Sequence, residues 1–176
     1  RPMLKNLFMS EDFYSDETMA SQIKGPVQLM VGTLRDLGIK EVSFSTLGSA
    51  VAAMGQELYG PPNVKGWEGG QFWVNANRIF VRYNGVADLV ENIAVPNQPR
   101  GLDIVGALEG QKIDTPEQVV QFLAKSCFVQ SLSEDKQKVL TEQVASLPPR
   151  SEWENQRSQV NAKLRMLLVL MMSMPE

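Results

Sequence analysis

Residues 26–38 read Pro-Val-Gln-Leu-Met-Val-Gly-Thr-Leu-Arg-Asp-Leu-Gly. Val27, Met30, Val31 and Leu34 fall at i, i+3, i+4 and i+7, and Leu37 extends the stripe. That spacing puts apolar side chains on one face of an α-helix. Pro26 suits the first helical turn, where its missing N–H goes unmissed, and Gly38 suits the residue just past the end. The same period recurs along most of the 176-residue chain, so the fold class that follows is all-α.

Working outward, residues 2–9 place Leu4, Leu7 and Phe8 on one face. The acidic stretch 10–18 is expected to anchor in the core through Phe13 and Tyr14. A third helix starts near Ser45 or Thr46, with Leu47, Val51, Met54 and Leu58 as its stripe. Gly48, Ala50, Ala52, Ala53 and Gly55 keep it slim, and each glycine costs about 1 kcal/mol against alanine. Close approach by a neighbour would offset that cost, so this helix is expected to be the central, most buried one. A fourth runs from about Trp73 to Asn92, with Ala76, Ile79, Phe80, Tyr83, Ala87 and Val90 inward and Gly85 weakening its middle.

The connector IAVPNQPRG (93–101) is turn-rich and marks a possible subdomain split. Asp103 is placed to cap a short turn through Leu108. Thr115-Pro116-Glu117-Gln118 reads as a capping box with proline at the first helical position, followed by Val119, Val120, Leu123 and Cys127. Ser133 caps the next helix, whose inward residues are Val139, Leu140, Val144 and Leu147 and which Pro148-Pro149 ends. Ser151-Glu152-Trp153-Glu154 reads as a second capping box opening a final helix through about Ser173. The expectation is one helical domain over residues 1–176, an irregular bundle of about six or seven helices with a long loop between the third and fourth.

Composition narrows the chemistry. Hydrophobic residues are 43% and charged residues 21%, as in ordinary globular domains. The net charge of −3 gives no electrostatic draw to nucleic acid or to an anionic membrane. With no histidine, these residues supply neither Ser-His-Asp nor Cys-His catalysis, nor a zinc site built on imidazole. The single cysteine, Cys127, sits in an apolar helical stretch and reads as a structural thiol. Asp12, Asp16, Glu17, Glu134 and Asp135 lack calcium-loop spacing and read as solvated charge, so no metal and no cofactor is expected. The longest strongly apolar run, Met166 to Met172, is too short for a transmembrane segment. The chain begins at Arg1-Pro2 and stops after Pro175-Glu176, ends expected to be cut from a longer protein, so an export signal would not be visible.

One segment escapes the helical period: Tyr59-Gly60-Pro61-Pro62-Asn63-Val64-Lys65-Gly66-Trp67-Glu68-Gly69-Gly70-Gln71-Phe72-Trp73. Its four glycines and two prolines can hold a single convoluted path. Two readings stand. In one, Trp67 and Trp73 fold back over the helix ends as a lid on the core. In the other, they form a recognition surface with Asn63, Gln71, Asn75 and Asn77, an aromatic platform with amides that suits a neutral glycan or a protein partner. Arg78 and Arg82 follow one turn apart on one face; two guanidinium forks there would bind a carboxylate or sulfate, or else pair with Glu68, Asp88 or Glu91.

The segment from Ile23-Lys24-Gly25-Pro26-Val27 to Leu37-Gly38, then Met54-Gly55-Gln56-Glu57-Leu58-Tyr59, then PPNVKGWEGGQFW (61–73), resembles a bacterial domain-of-unknown-function family, number 1800. Its members carry variants of K-x-P-V-x-x-x-V-G-x-x-R and M-G-Q-x-L-F-x-P-P-N-V-x-G-W-x-G-G-x-x-W; Arg35 fits, and Tyr59 is an aromatic replacement. The opening Leu7–Ser15 and the closing Met172–Glu176 are also similar, with Met174 a departure at the end. The resemblance is strongest over 23–84 and weak over 93–150. It implies the C-terminal part of a longer, commonly exported bacterial protein, hence a periplasmic, cell-surface or secreted setting and contacts with the missing N-terminal part. It carries no catalytic residue over. The leading expectation is therefore a non-enzymatic helical binding or assembly module, with Asn63, Trp67, Gln71, Trp73, Asn77, Arg78 and Arg82 as candidate ligand-binding residues. The alternatives are the C-terminal part of an enzyme acting on extracellular polymers and a purely structural scaffold.

Overall fold

A computed structural model describes residues 1–18, 21–91, 101–128 and 130–174. The connector 93–101, apart from Gly101, and the closing Pro175-Glu176 lie outside the described residues. Among those described the protein forms eight α-helices and no strand: α1 (Pro2–Phe8), α2 (Pro26–Asp36), α3 (Phe44–Ala53), α4 (Ala76–Val90), α5 (Ile104–Ala107), α6 (Pro116–Cys127), α7 (Glu134–Val144) and α8 (Arg157–Met172). Short 3-10 turns cover Glu11–Tyr14, Gly70–Trp73 and Arg150–Glu152.

The central helix is α8. It buries Val160, Leu164, Leu167, Leu168 and Met171 and packs on α4, α5, α6 and α7. The expectation that the third helix is central is corrected: α3 fully buries only Val51, and a Cβ added at Gly48 would meet nothing within 4 Å. Close approach is made at Gly55, just past α3, against Arg78, and at Gly85 of α4, where a Cβ would come within 2.8 Å of Met54 Cε and 3.3 Å of Met30 Sδ. Helix α4 serves two apolar clusters. Val86 and Val90 join the large one built on α5–α8, and Leu89 joins the smaller one of Met30, Val51 and Met54. Its inward face is therefore Gly85, Val86, Leu89 and Val90, and Phe80 and Tyr83, expected inside, are exposed.

A polar strip fastens α8 to the segment before α6. Asn161 is buried; its Oδ1 accepts the Val105 N–H at 2.9 Å and its Nδ2 donates to Asp103 Oδ1 at 2.8 Å. Arg157 donates to Asp103, to Glu109 at 3.1 Å and to Glu154 at 2.5 Å. Arg165 pairs with Glu91 at 3.0 Å and donates to the Leu102 carbonyl. Asp103 also caps α5 through the Gly106 N–H at 3.2 Å, and its hydrogen bond from Arg157 holds its carboxyl below the usual range against the opposing pull of desolvation.

Local signals hold in several places. Thr115 and Gln118 close the capping box of α6, with Pro116 at its first position. Gly38 takes φ +64° just after α2. Around Trp153 the reading fails: no capping box forms there, the residue is buried, and its Nε1–H donates to the Pro148 carbonyl at 2.9 Å under the Arg150 guanidinium. Helix α8 therefore begins later, at Arg157. Phe13 and Tyr14 do not reach the core; they stack edge-on with each other, and Phe13 does so with Phe8, at the surface. Cys127 is half-buried, and desolvation, then the Asp36 charge, push its thiol up to about 11, so it is protonated at neutral pH.

Two outcomes follow for stability. Asn161→Ala leaves the Val105 N–H unpaired in the core and should cost about 1–3 kcal/mol in urea unfolding. Because Asp103 is more acidic folded than unfolded, its contribution is present above the unfolded carboxylate's range, about pH 4, and is lost as pH falls below it through the lowered folded value. Asp103→Asn should therefore lower the urea midpoint at pH 7, with the gap to wild type narrowing at pH 3.

Candidate functional site

Helix α2 begins with a proline, so the acceptors at its N-terminus must serve the neighbouring amides. Gln28 Oε1 accepts the Gly25 N–H at 3.0 Å, and Gln56 Oε1, arriving from just beyond α3, accepts the Val27 N–H at 3.0 Å. A Cβ at Gly25 would lie 3.5 Å from that Gln56 oxygen and 3.6 Å from Trp73 Nε1. The two ends of the long loop, Gln56 and Trp73, thus meet at the start of α2. Trp73 is 4% exposed.

Arg78 closes the same junction. Its guanidinium donates to the Phe72 carbonyl and lies 3.8 Å over the Phe72 ring. It also rests on Gly55, where φ is +96° and a Cβ would come within 2.8 Å of Nε. Only glycine meets both demands at this position. Asn75 caps α4, accepting the Arg78 N–H at 3.0 Å.

Between these pins residues 57–65 are exposed. Asn63 Oδ1 accepts the Lys65 N–H at 2.8 Å, and Gly66, Gly69 and Gly70 all take positive φ. Trp67 is half-buried. The crest carries Leu58, Tyr59 and Val64, and the last two are fully exposed. Tyr59 is the one described non-glycine residue with positive φ, +64°. A left-handed backbone costs an ordinary residue about 1–2 kcal/mol, strain of the kind that gathers at functional positions.

The sequence-derived candidates therefore separate. Trp73 is a structural anchor, and the Asn63 carbonyl oxygen is engaged in a turn. Arg78 is engaged as the latch. Gln71 and Asn77 are exposed, and Trp67 is partly so. Arg82 is half-buried one turn beyond Arg78; burial holds its guanidinium below the usual arginine range despite Tyr83, and its Nη1 has no hydrogen-bond partner among the described residues. Glu91, one of its expected partners, pairs with Arg165 instead. Sequence reasoning passed over Gln56, Leu58 and Tyr59 as site residues. For Gln56 no local signal exists, since its partner is 29 residues away.

Two hollows lie elsewhere. One of about 420 Å³ sits between α6 and α7 against Glu117, Gln121, Gln137 and Thr141; a small apolar one lies among Met30, Leu47, Ala50 and Leu89. Among the described residues no three carboxylate or thiol side chains gather as a metal site, and no helix is long and apolar enough to cross a membrane.

What these features define is an all-helical domain displaying a pinned Gly/Pro/Trp loop. The chain belongs to the DUF1800 family of proteins of unknown function, whose family model matches residues 1–176. No curated protein and no solved structure matches it.

Three substitutions test the pins by urea unfolding. Trp73→Ala should cost about 3–5 kcal/mol as a buried aromatic, and Trp67→Ala less than half of that. Gly55→Ala should cost at least about 1 kcal/mol through its strained φ alone.

Proposed function

We propose that this chain is a helical assembly module and that the crest of its loop, Leu58, Tyr59 and Val64 with Trp67 beside them, is the surface that recognises a protein partner. The observation that carries the reading is Tyr59: a large aromatic ring fully exposed on a strained backbone, at the top of a loop pinned at both ends. Exposed apolar side chains on a rigid base bind with little ordering cost. The crest side chains are exposed and apolar, so their complement is an apolar site on a protein surface, supplied by another chain or by a further part of the same polypeptide. Its chemistry is burial of apolar area, with no acid or base required.

A second reading has its own support. The side chains of Gln71 and Asn77 are exposed, and the Tyr59 and Trp67 rings offer faces, which suits stacking on a neutral glycan.

A photo-crosslinking residue placed at Val64 should give one discrete protein adduct in the producing cells, and the same residue at exposed Ser126 of α6 should give none. Equal adducts at both positions, or none at Val64, sink the proposal. Glycan retention that Tyr59→Ala abolishes would move the conclusion to the second reading. Tyr59→Gly should hold or raise stability by up to about 1 kcal/mol while reducing the adduct.

A further inference from the structure

The N-terminal arm, α1 with its following 3-10 turn, contributes no buried residue. Met3 is 78% exposed and Met9 75%; Leu4, Leu7, Phe8, Phe13 and Tyr14 are all exposed as well. Leu4, Leu7 and Phe8 share one helical face, and Phe8, Phe13 and Tyr14 continue it as an edge-to-face stack with centroids 5.1 Å apart. Seven large apolar side chains are thus exposed between residues 3 and 14, a concentration unlike singly scattered surface residues.

Charge says what covers it. Arg1 and Lys5 precede the centre of the arm, and Glu11 and Asp12 follow it; Lys5 lies three residues before Phe8 and Glu11 three residues after. None of these four enters an ion pair among the described residues. Two such arms laid antiparallel about Leu7 and Phe8 set the basic end of each against the acidic end of the other while both apolar faces are buried. A two-fold contact needs this self-complementary pattern.

We infer that the arm is a homodimerisation surface, whose occupant is the same arm of a second copy of this chain. It is independent of the loop crest, which lies on other elements.

Analytical ultracentrifugation of the 176-residue chain at micromolar concentration tests it. The expected species is a dimer. Leu7→Asp and Phe8→Asp should each weaken it at least tenfold, with the urea midpoint of the dilute, dissociated chain unchanged, since neither side chain is in the core. Lys5→Glu and Glu11→Lys should each weaken it, and the double exchange should restore it. A monomer throughout would overturn the inference and assign the arm to a different partner. A dimer indifferent to Leu7→Asp and Phe8→Asp, or a double exchange no better than either single one, would overturn it too.

Discussion

Helix α2 starts on Pro26, and the next amide, that of Val27, finds its acceptor on Gln56, 29 residues along. That hydrogen bond is the constraint on which the loop's geometry rests. A side chain following α3 must reach the positive end of α2, which brings the end of α3 against the start of α2 and leaves Gly55 facing Arg78. Arg78 then ties Phe72 back to the same place, and Trp73 fills the space beneath. An N-terminus capped by a remote carboxamide is a weak bond in isolation, worth about 1 kcal/mol net. Its importance is geometric: an indole, a guanidinium stacked on a phenyl ring and a left-handed glycine all depend on the register it sets.

The helices were legible where the signal was local. The Thr115–Gln118 box, the Asp103 cap and Gly38 beyond α2 each concern residues within one turn of one another, and each forms as read. Which face turns inward was less legible. On α4 the apolar period pointed to Phe80 and Tyr83, yet the helix lies between two clusters and must come close to Met30 and Met54. Gly85 satisfies that demand, and a hydrophobic pattern does not register a glycine as core. Around α3 the glycine signal was half right: Gly55 lies tight against Arg78, but Gly48 faces open space. Around Trp153, an acid three residues beyond Ser151 imitated a helix start, while the indole's need for a buried acceptor favoured a tight turn onto Pro148.

The loop was visible in the sequence as an interruption, and its division of labour was not. Two tryptophans looked equivalent, but one is an anchor and the other lies half-buried on the outer arc. Asn63 and Asn75, which looked like ligand-facing amides, spend their carbonyl oxygens on a turn and on a helix cap. Short polar side chains next to backbone amides do this readily. Long-range pins decide what remains for the crest, and no spacing rule reports a partner that is far away in sequence.

The arm and the crest expose apolar surface for different physical reasons. The crest can stand alone, because its backbone is fixed by pins buried beneath it. The arm has no such support. A seven-residue helix is too short to be stable in water by propensity alone, and α1 has neither a side-chain cap nor a buried residue to hold it. Its Pro2 start and the Ser10 hydroxyl, which donates to the Leu7 carbonyl, favour the helix only locally. Most helical stability in proteins comes from covering an amphipathic face, so the order of α1 and the covering of its apolar side are one event. The arm is in that sense an unfinished piece of core, and a surface carrying the same unfinished piece with its charges reversed end to end is well suited to complete it.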